Sequence, residues 1–151
     1  MDNFQPKSNN FSTRVKDSFA RQTAMQTLGI EIDTVQAGEV TLSMPYNTTL
    51  TQQHGFIHAG VITTGMDSAA GYAAFSLMED DAAVLTVEFK VNLLSPASGE
   101  SFLFKGSVIK PGRTLTFTEA KAYAVNAGQE KLIATMSATM MAVVGRGEIK
   151  G

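Results

Sequence analysis

Asp67 is the residue in this chain whose type and placement most demand a chemical explanation. It is the only charged residue between Ala59 and Met78, the most apolar stretch of the sequence. An uncompensated carboxylate in such surroundings is costly unless it is protonated, paired or hydrated. It persists either because the fold satisfies it or because it works. Just upstream stand Gln52, His54, Gly55, His58, Ala59 and Gly60. His58-Ala59-Gly60 falls where a helix through the apolar stretch would begin. The free amides and dipole of a helix start suit an oxyanion or a polarised carbonyl, and small residues let a substrate carbonyl approach them. Asp67, two turns on, lies on a nearby face of the same helix. A carboxylate and a preorganised amide cluster are the parts needed to hydrolyse an acyl group.

Other polar residues have plainer readings. His54 and His58 have a spacing that would bind a metal if both lay on one helix, but Gly55 and the expected loop argue against a helix there. His58 is better read as a hydrogen-bonding residue that ties the loop to the helix, and His54 as a loop residue at the mouth of a cleft. Lys110 and Arg113 flank a tight turn with Gly112 between them. Solvated charges are usual there, and a phosphate contact is the functional alternative. Thr86 is of a type common in strands.

These residues need elements to position them. Residues 1–11 read as a flexible tail and residues 12–151 as one domain. Ser12 or Thr13 is placed to cap a first helix reaching Leu28, with Gly29 ending it. Strands follow over Gly29 to Val35 and Glu39 to Tyr46, around Gln36-Ala37-Gly38. The apolar segment from Ala59 to Met78 predicts a buried helix, and its many Ala and Gly allow other backbone to come close. Leu85, Val87, Phe89, Val91 and Leu93 alternate with Thr86, Glu88, Lys90 and Asn92, which places Thr86 on the polar face of a strand. With three more that follow, this strand makes four in consecutive hairpins, turning at Ser95-Pro96-Ala97-Ser98-Gly99, Lys110-Pro111-Gly112-Arg113 and Asn126-Ala127-Gly128. The order predicts an α+β domain in which a mostly antiparallel sheet wraps one long helix, with a short helix before it.

Composition narrows the classes. The 151 residues are 44% hydrophobic and 17% charged, which suits a packed globular domain. A net charge of -2 offers no basic field for nucleic acid or an anionic membrane. No Cys is present, so disulfides, thiolate catalysis and Cys-based zinc sites are excluded. The polar N-terminus lacks the pattern of a secretory signal, so the expectation is a cytoplasmic protein with no cofactor and no membrane span.

Gly55-Phe56-Ile57-His58-Ala59-Gly60-Val61, followed by Met66-Asp67-Ser68-Ala69-Ala70-Gly71, resembles the G-x-x-H-G-G-(x)6-D signature of PaaI-like hotdog-fold thioesterases. The resemblance extends through Leu93-Leu94-Ser95-Pro96-Ala97 and Lys110-Pro111-Gly112-Arg113-Thr114, and covers roughly residues 29–144. It implies hydrolysis of acyl-CoA to free acid and CoA. Asp67 then activates water or attacks the thioester carbon. The amide of Ala59, with Gly60, polarises the carbonyl. Gln52 stands near the water or carbonyl, and the hydroxyl of Thr86 helps hold the water. His54, Gly55 and His58 border the substrate, and Lys110, Gly112 and Arg113 face the CoA phosphates. The resemblance also implies a homodimer whose sites are shared between subunits, commonly paired into a dimer of dimers. The chain departs from the signature at Ala59, where Gly is usual. Ala keeps the N–H, but its methyl would narrow the site, or alter the loop if that position required a positive φ. Two alternatives remain at this point: a hotdog dehydratase or hydratase pairing a loop His with Asp67, and a non-catalytic acyl-CoA-binding module.

Overall fold

The structure is a computed structural model and describes residues 3–151. Its elements are α1 (Phe11–Ala20), α2 (Thr23–Leu28), β1 (Glu31–Gln36), β2 (Glu39–Pro45), α3 (Ala59–Phe75), β3 (Ala82–Leu93), β4 (Ser101–Lys110), β5 (Leu115–Asn126) and β6 (Gln129–Val144). The strands form one antiparallel sheet in the order β1-β2-β4-β5-β6-β3, curled around α3. This is the hotdog architecture that the resemblance implies, but the expected run of four consecutive hairpins fails at its first member. β3 does not pair with β4 and instead pairs with β6 at the edge of the sheet, so the chain crosses over between β3 and β4. Among the described residues no helix is long and apolar enough to cross a membrane.

The small residues of α3 bring helix and sheet together. A Cβ on Gly65 would stand 2.5 Å from the Phe104 ring, and one on Gly106 of β4 would collide with the backbone of Ala69. Helix and sheet therefore meet glycine to side chain and glycine to backbone. Met66, Ala69, Ala70, Ala73 and Phe75 are fully or almost fully buried against Leu42, Met44, Phe102 and Phe104. A helix apolar on nearly every side is stable only with cover of this kind.

The N-terminal region departs from expectation in two ways. The single helix predicted from Ser12 or Thr13 to Leu28 is two helices, parted at Arg21 and Gln22, where Gln22 is extended. The buried residues supply the reason. Val15 and Met25 would stand about 80° apart around one continuous helix, and the break lets both face the core. The N-cap is Asn10, with no side-chain capping bond, and Ser12 and Thr13 lie inside the first turn. Gly29 does end the second helix, in a left-handed conformation at φ 72°. The tail predicted over residues 1–11 is irregular, but over 3–10 it is anchored: Ser8 is buried and Phe4 packs on the core. Met1 and Asp2 lie outside the described residues.

The parity of β3 also differs. A bulge between Thr86 and Glu88 puts an extra residue, Val87, into the strand. Thr86 pairs with the buried Met140, whereas Phe89, Val91 and Leu93 pair with the buried Ala138, Met136 and Ala134. Paired residues share a face of the sheet. Thr86 thus faces α3 on the side of Phe89 and Val91, and Glu88, Lys90 and Asn92 take the opposite side. The uninterrupted alternation read from the sequence fails at that one residue.

Candidate active site

Asp67 projects from the middle of α3 toward β3. Thr86 Oγ1 donates a hydrogen bond of 2.8 Å to its Oδ1. Among the described residues no cation pairs with it. Burial pushes the Asp67 carboxyl above the usual carboxylate range, and the Thr86 hydroxyl partly opposes that shift by stabilising the anion. The carboxylate opens onto a cavity of about 150 Å³, lined on α3 by Ser68, Gly71 and Tyr72, on β3 by Val84, from the N-terminal region by Ser18 and Gln22, and from the C-terminal region by Lys150 and Gly151. The bulge is what turns the Thr86 hydroxyl to the carboxylate.

The start of α3 forms a second station. His58 is its N-cap, and its Nδ1 accepts the Gly60 N–H at 2.8 Å. The His58 N–H donates to the Leu50 carbonyl at 2.9 Å. His58 thus ties loop to helix, as its structural reading anticipates. Of the two amides expected to polarise a carbonyl, that of Gly60 is taken by the imidazole. The Ala59 N–H has no acceptor among the described residues. Ala127 is the one described non-Gly residue with a positive φ. Ala59 therefore occupies ordinary helical backbone, and its methyl imposes no strain. Ala59 borders a larger cavity of about 470 Å³, mostly apolar, whose other walls include Gln52, Phe56, Ile62, Leu94 and Ile133.

The remaining expected residues distribute unevenly. The Gln52 side-chain carbonyl accepts the His54 N–H at 2.5 Å, so Gln52 braces its own loop while lining the larger cavity. Gly55 takes φ 84° at the loop tip, and its carbonyl accepts from the Tyr46 hydroxyl at 2.9 Å. His54 is exposed on this loop and does not share a helix with His58. Lys110, Gly112 and Arg113 lie on the exposed β4–β5 turn. Gly112 and Arg113 border Leu77 and Met78, just past the C-terminal end of α3. Within one chain they are not beside Ala59. Sequence reasoning did not place Ser18, Gln22, Gly71, Tyr72, Lys150 or Gly151 around Asp67. The four-residue step from Asp67 to Gly71 was a legible signal, since both then lie on one helix face; Ser18 and Gln22 gave none.

Ala59 and Asp67 are eight residues apart on α3. At 1.5 Å per residue that is about 12 Å along the axis, too far for both to act on one carbonyl. Each chain thus presents two separate polar stations, one with a free amide and one with a desolvated carboxylate.

A single antiparallel sheet curled around one long helix is the hotdog fold, and the sequence relationships of the chain make it a hydrolase of the thioesterase class. The chain belongs to the thioesterase superfamily, whose sequence model matches residues 54–131. It is 62% identical to a thioesterase family protein from Silicibacter pomeroyi of known crystal structure, with a TM-score of 0.88 over 89% of this chain and 99% of that one. A protein of Saccharolobus solfataricus named as an esterase is 29% identical over 111 residues, covering 74% of this chain and 73% of its own. The PaaI protein of E. coli shares the fold, with a TM-score of 0.81 at 19% identity over 92% of this chain and 97% of that one.

Proposed function

We propose that the protein is an acyl-CoA thioesterase that works as a homodimer. The observation that carries this reading is the combination of a desolvated Asp67, which has no ion-pair partner among the described residues, with a free Ala59 amide that it cannot reach within its own chain. A second copy joins the two stations. β3 is an edge strand, paired only with β6. It leaves Leu85, Val87, Phe89 and Leu93 exposed by 42 to 59%. A long, apolar, unpaired edge is a surface that soluble proteins normally cover, and two β3 strands laid side by side would bring the α3 helices of two subunits together.

In the shared site the Ala59 N–H of one subunit polarises the thioester carbonyl, and Asp67 of the other activates water or attacks the carbon. The Thr86 hydroxyl orients the carboxylate. CoA leaves as the thiol and the acyl group as the acid. Gln52 lines the approach to the carbonyl. Lys110 and Arg113, on a turn remote from Ala59 in their own chain, are assigned to the CoA phosphates of a substrate that crosses between subunits. A dimer of dimers would be a further association of such units. The dehydratase alternative loses support because the His58 Nδ1 is committed to the Gly60 amide and His54 is exposed on its loop.

The test is thiol release from a panel of acyl-CoAs, monitored alongside mass by light scattering. Turnover by a dimer supports the reading. Full activity in a monomer would refute the shared site, and double-bond hydration without thiol release would favour the dehydratase.

A further inference from the structure

Residues 145–151 leave β6 and turn back toward α3. The reversal is made at Gly145, in a left-handed conformation at φ 76°, and by a turn in which the Ile149 N–H donates to the Arg146 carbonyl at 3.0 Å. The ion pair of Arg146 with Glu148 is internal to the segment. Ile149 and Gly151 are half-buried, whereas residues 145–148 and Lys150 are exposed. Gly151 sits in a narrow slot: an added Cβ would stand 2.6 Å from the Ala82 carbonyl oxygen and 2.7 Å from the Phe75 ring. The Arg21 guanidinium, at the α1–α2 break, donates to the Gly151 carbonyl. Among the described residues this is the only hydrogen bond that ties residues 146–151 to the rest of the chain.

This placement puts the segment between two cavities. Lys150 and Gly151 wall the cavity of about 150 Å³ that holds Asp67. The same two residues wall a second cavity of about 620 Å³, bounded also by Arg14, Asp17, Arg21 and Phe75. We infer that residues 145–151 are a strap that closes the Asp67 cavity on this side, with Gly145 as its hinge and Arg21 as its latch. Lifting the strap joins the two cavities and opens the carboxylate to solvent. A segment held by one hydrogen bond and little buried apolar surface belongs to the readily opened part of a fold. Gln22 lines the same cavity, and its Oε1 is buried without a partner. An unpaired buried oxygen disfavours the closed arrangement, and water admitted beneath the strap would satisfy it. Arg21 is a positioning residue that acts on Asp67 through the strap. The bearing of the strap on turnover rests on the thioesterase reading, in which water must reach Asp67.

The chain has no Cys, so a single introduced thiol reports access to the cavity. Gly71→Cys places it in the cavity wall, at a position where an added Cβ meets nothing within 4 Å. The measurement is the rate of alkylation by iodoacetamide. It is made on Gly71→Cys alone, with Arg21→Ala, which removes the latch, and with Gly151→Val, which does not fit the slot and leaves every charged side chain in place. Ser98→Cys, on the exposed turn before β4, is the reference thiol, measured alone and with Arg21→Ala. With the strap closed, Gly71→Cys reacts about tenfold or more slowly than Ser98→Cys, and each strap variant raises its rate by about tenfold, the weight of one lost hydrogen bond. Ser98→Cys does not respond to Arg21→Ala. Melting curves confirm that the proteins compared are folded. A Gly71→Cys rate unchanged by Arg21→Ala or by Gly151→Val in a folded protein would overturn the strap, as would equal rates for Gly71→Cys and Ser98→Cys in the otherwise wild-type chain. An acceleration at Ser98→Cys as large as that at Gly71→Cys would overturn it too, because the whole fold would then have loosened. Labelling reads the strap without turnover, so thiol release from acyl-CoA tests the thioesterase reading separately.

Discussion

The two stations of α3 are made of the same backbone and differ in almost everything else. At its start, backbone does the work: the Ala59 N–H is free because a helix cannot satisfy its first amides, and the surrounding cavity is broad and apolar. At its middle, every backbone group is spent within the helix, so only a side chain can act. Asp67 does so in a tighter and more polar cavity. One station is set by where a helix begins, the other by which side chain is tolerated inside it. In the proposed dimer neither is a site alone, and the exposed edge of β3 would then serve catalysis as well as assembly.

The sharpest way to break the comparison is to disable each station in turn. Asp67→Asn removes the side-chain carboxylate of the polar station, and kcat should fall by on the order of a hundredfold or more while the dimer persists. Unchanged turnover in the folded variant would end the mechanism. Ala59→Pro deletes the free amide, and kcat should fall by about a hundredfold. Proline suits the first helical position, and His58 before it is already extended at ψ 137°, a conformation that a following proline favours. Mixing the two inactive variants as subunits tests the shared site directly. Half of the randomly assembled dimers are mixed, and each then holds one intact site, so about a quarter of wild-type activity should return. No recovery in demonstrated mixed dimers would place both groups of a site in one chain.

The edge strand ranks next. Phe89→Asp, on the exposed part of β3, should shift the protein toward monomer in light scattering and lower activity in proportion to the dimer lost. A monomer with wild-type kcat would separate assembly from chemistry.

The carboxylate station also predicts a stability effect of opposite sign to its effect on activity. Burial raises the Asp67 pKa in the folded chain, so between the unfolded and folded values the native state binds more protons. Stability therefore falls as pH rises through that window, and the penalty is complete above the folded pKa. Asp67→Asn should melt at or above the wild-type temperature at pH 7, and the difference should shrink on acidification. Activity runs the other way: kcat/KM should drop as pH falls through the raised pKa, because the working form is the anion. A variant melting below wild type at neutral pH would mean that the Thr86 bond outweighs desolvation.

The smallest effect is expected furthest from both stations. Arg113→Ala should raise KM for acyl-CoA several-fold, as expected for one exposed charge contact, and leave an acyl-pantetheine substrate unaffected. Equal effects on the two substrates would assign Arg113 a structural role.

By itself the sequence determined what local pattern and residue chemistry control. The apolar run around Asp67 dictates a buried helix, and His58-Ala59-Gly60 marks its start. The turns at Gly38, Gly112 and Gly128 divide the rest into antiparallel strands. Each of these follows from the propensities of neighbouring residues. Only the tertiary structure decided what depends on distant parts of the chain meeting. The α1–α2 break answers to the directions in which Val15 and Met25 must face. The Val87 bulge leaves no mark in an alternating sequence, yet it turns Thr86 to Asp67. The imidazole of His58 claims the Gly60 amide through loop geometry. The cavity over Gly71 exists because Ser18 and Gln22, from about fifty residues upstream, and Lys150 and Gly151, from far downstream, meet across α3. Packing forces of this kind act between faces, and a linear pattern records which residues are apolar but not which faces come together.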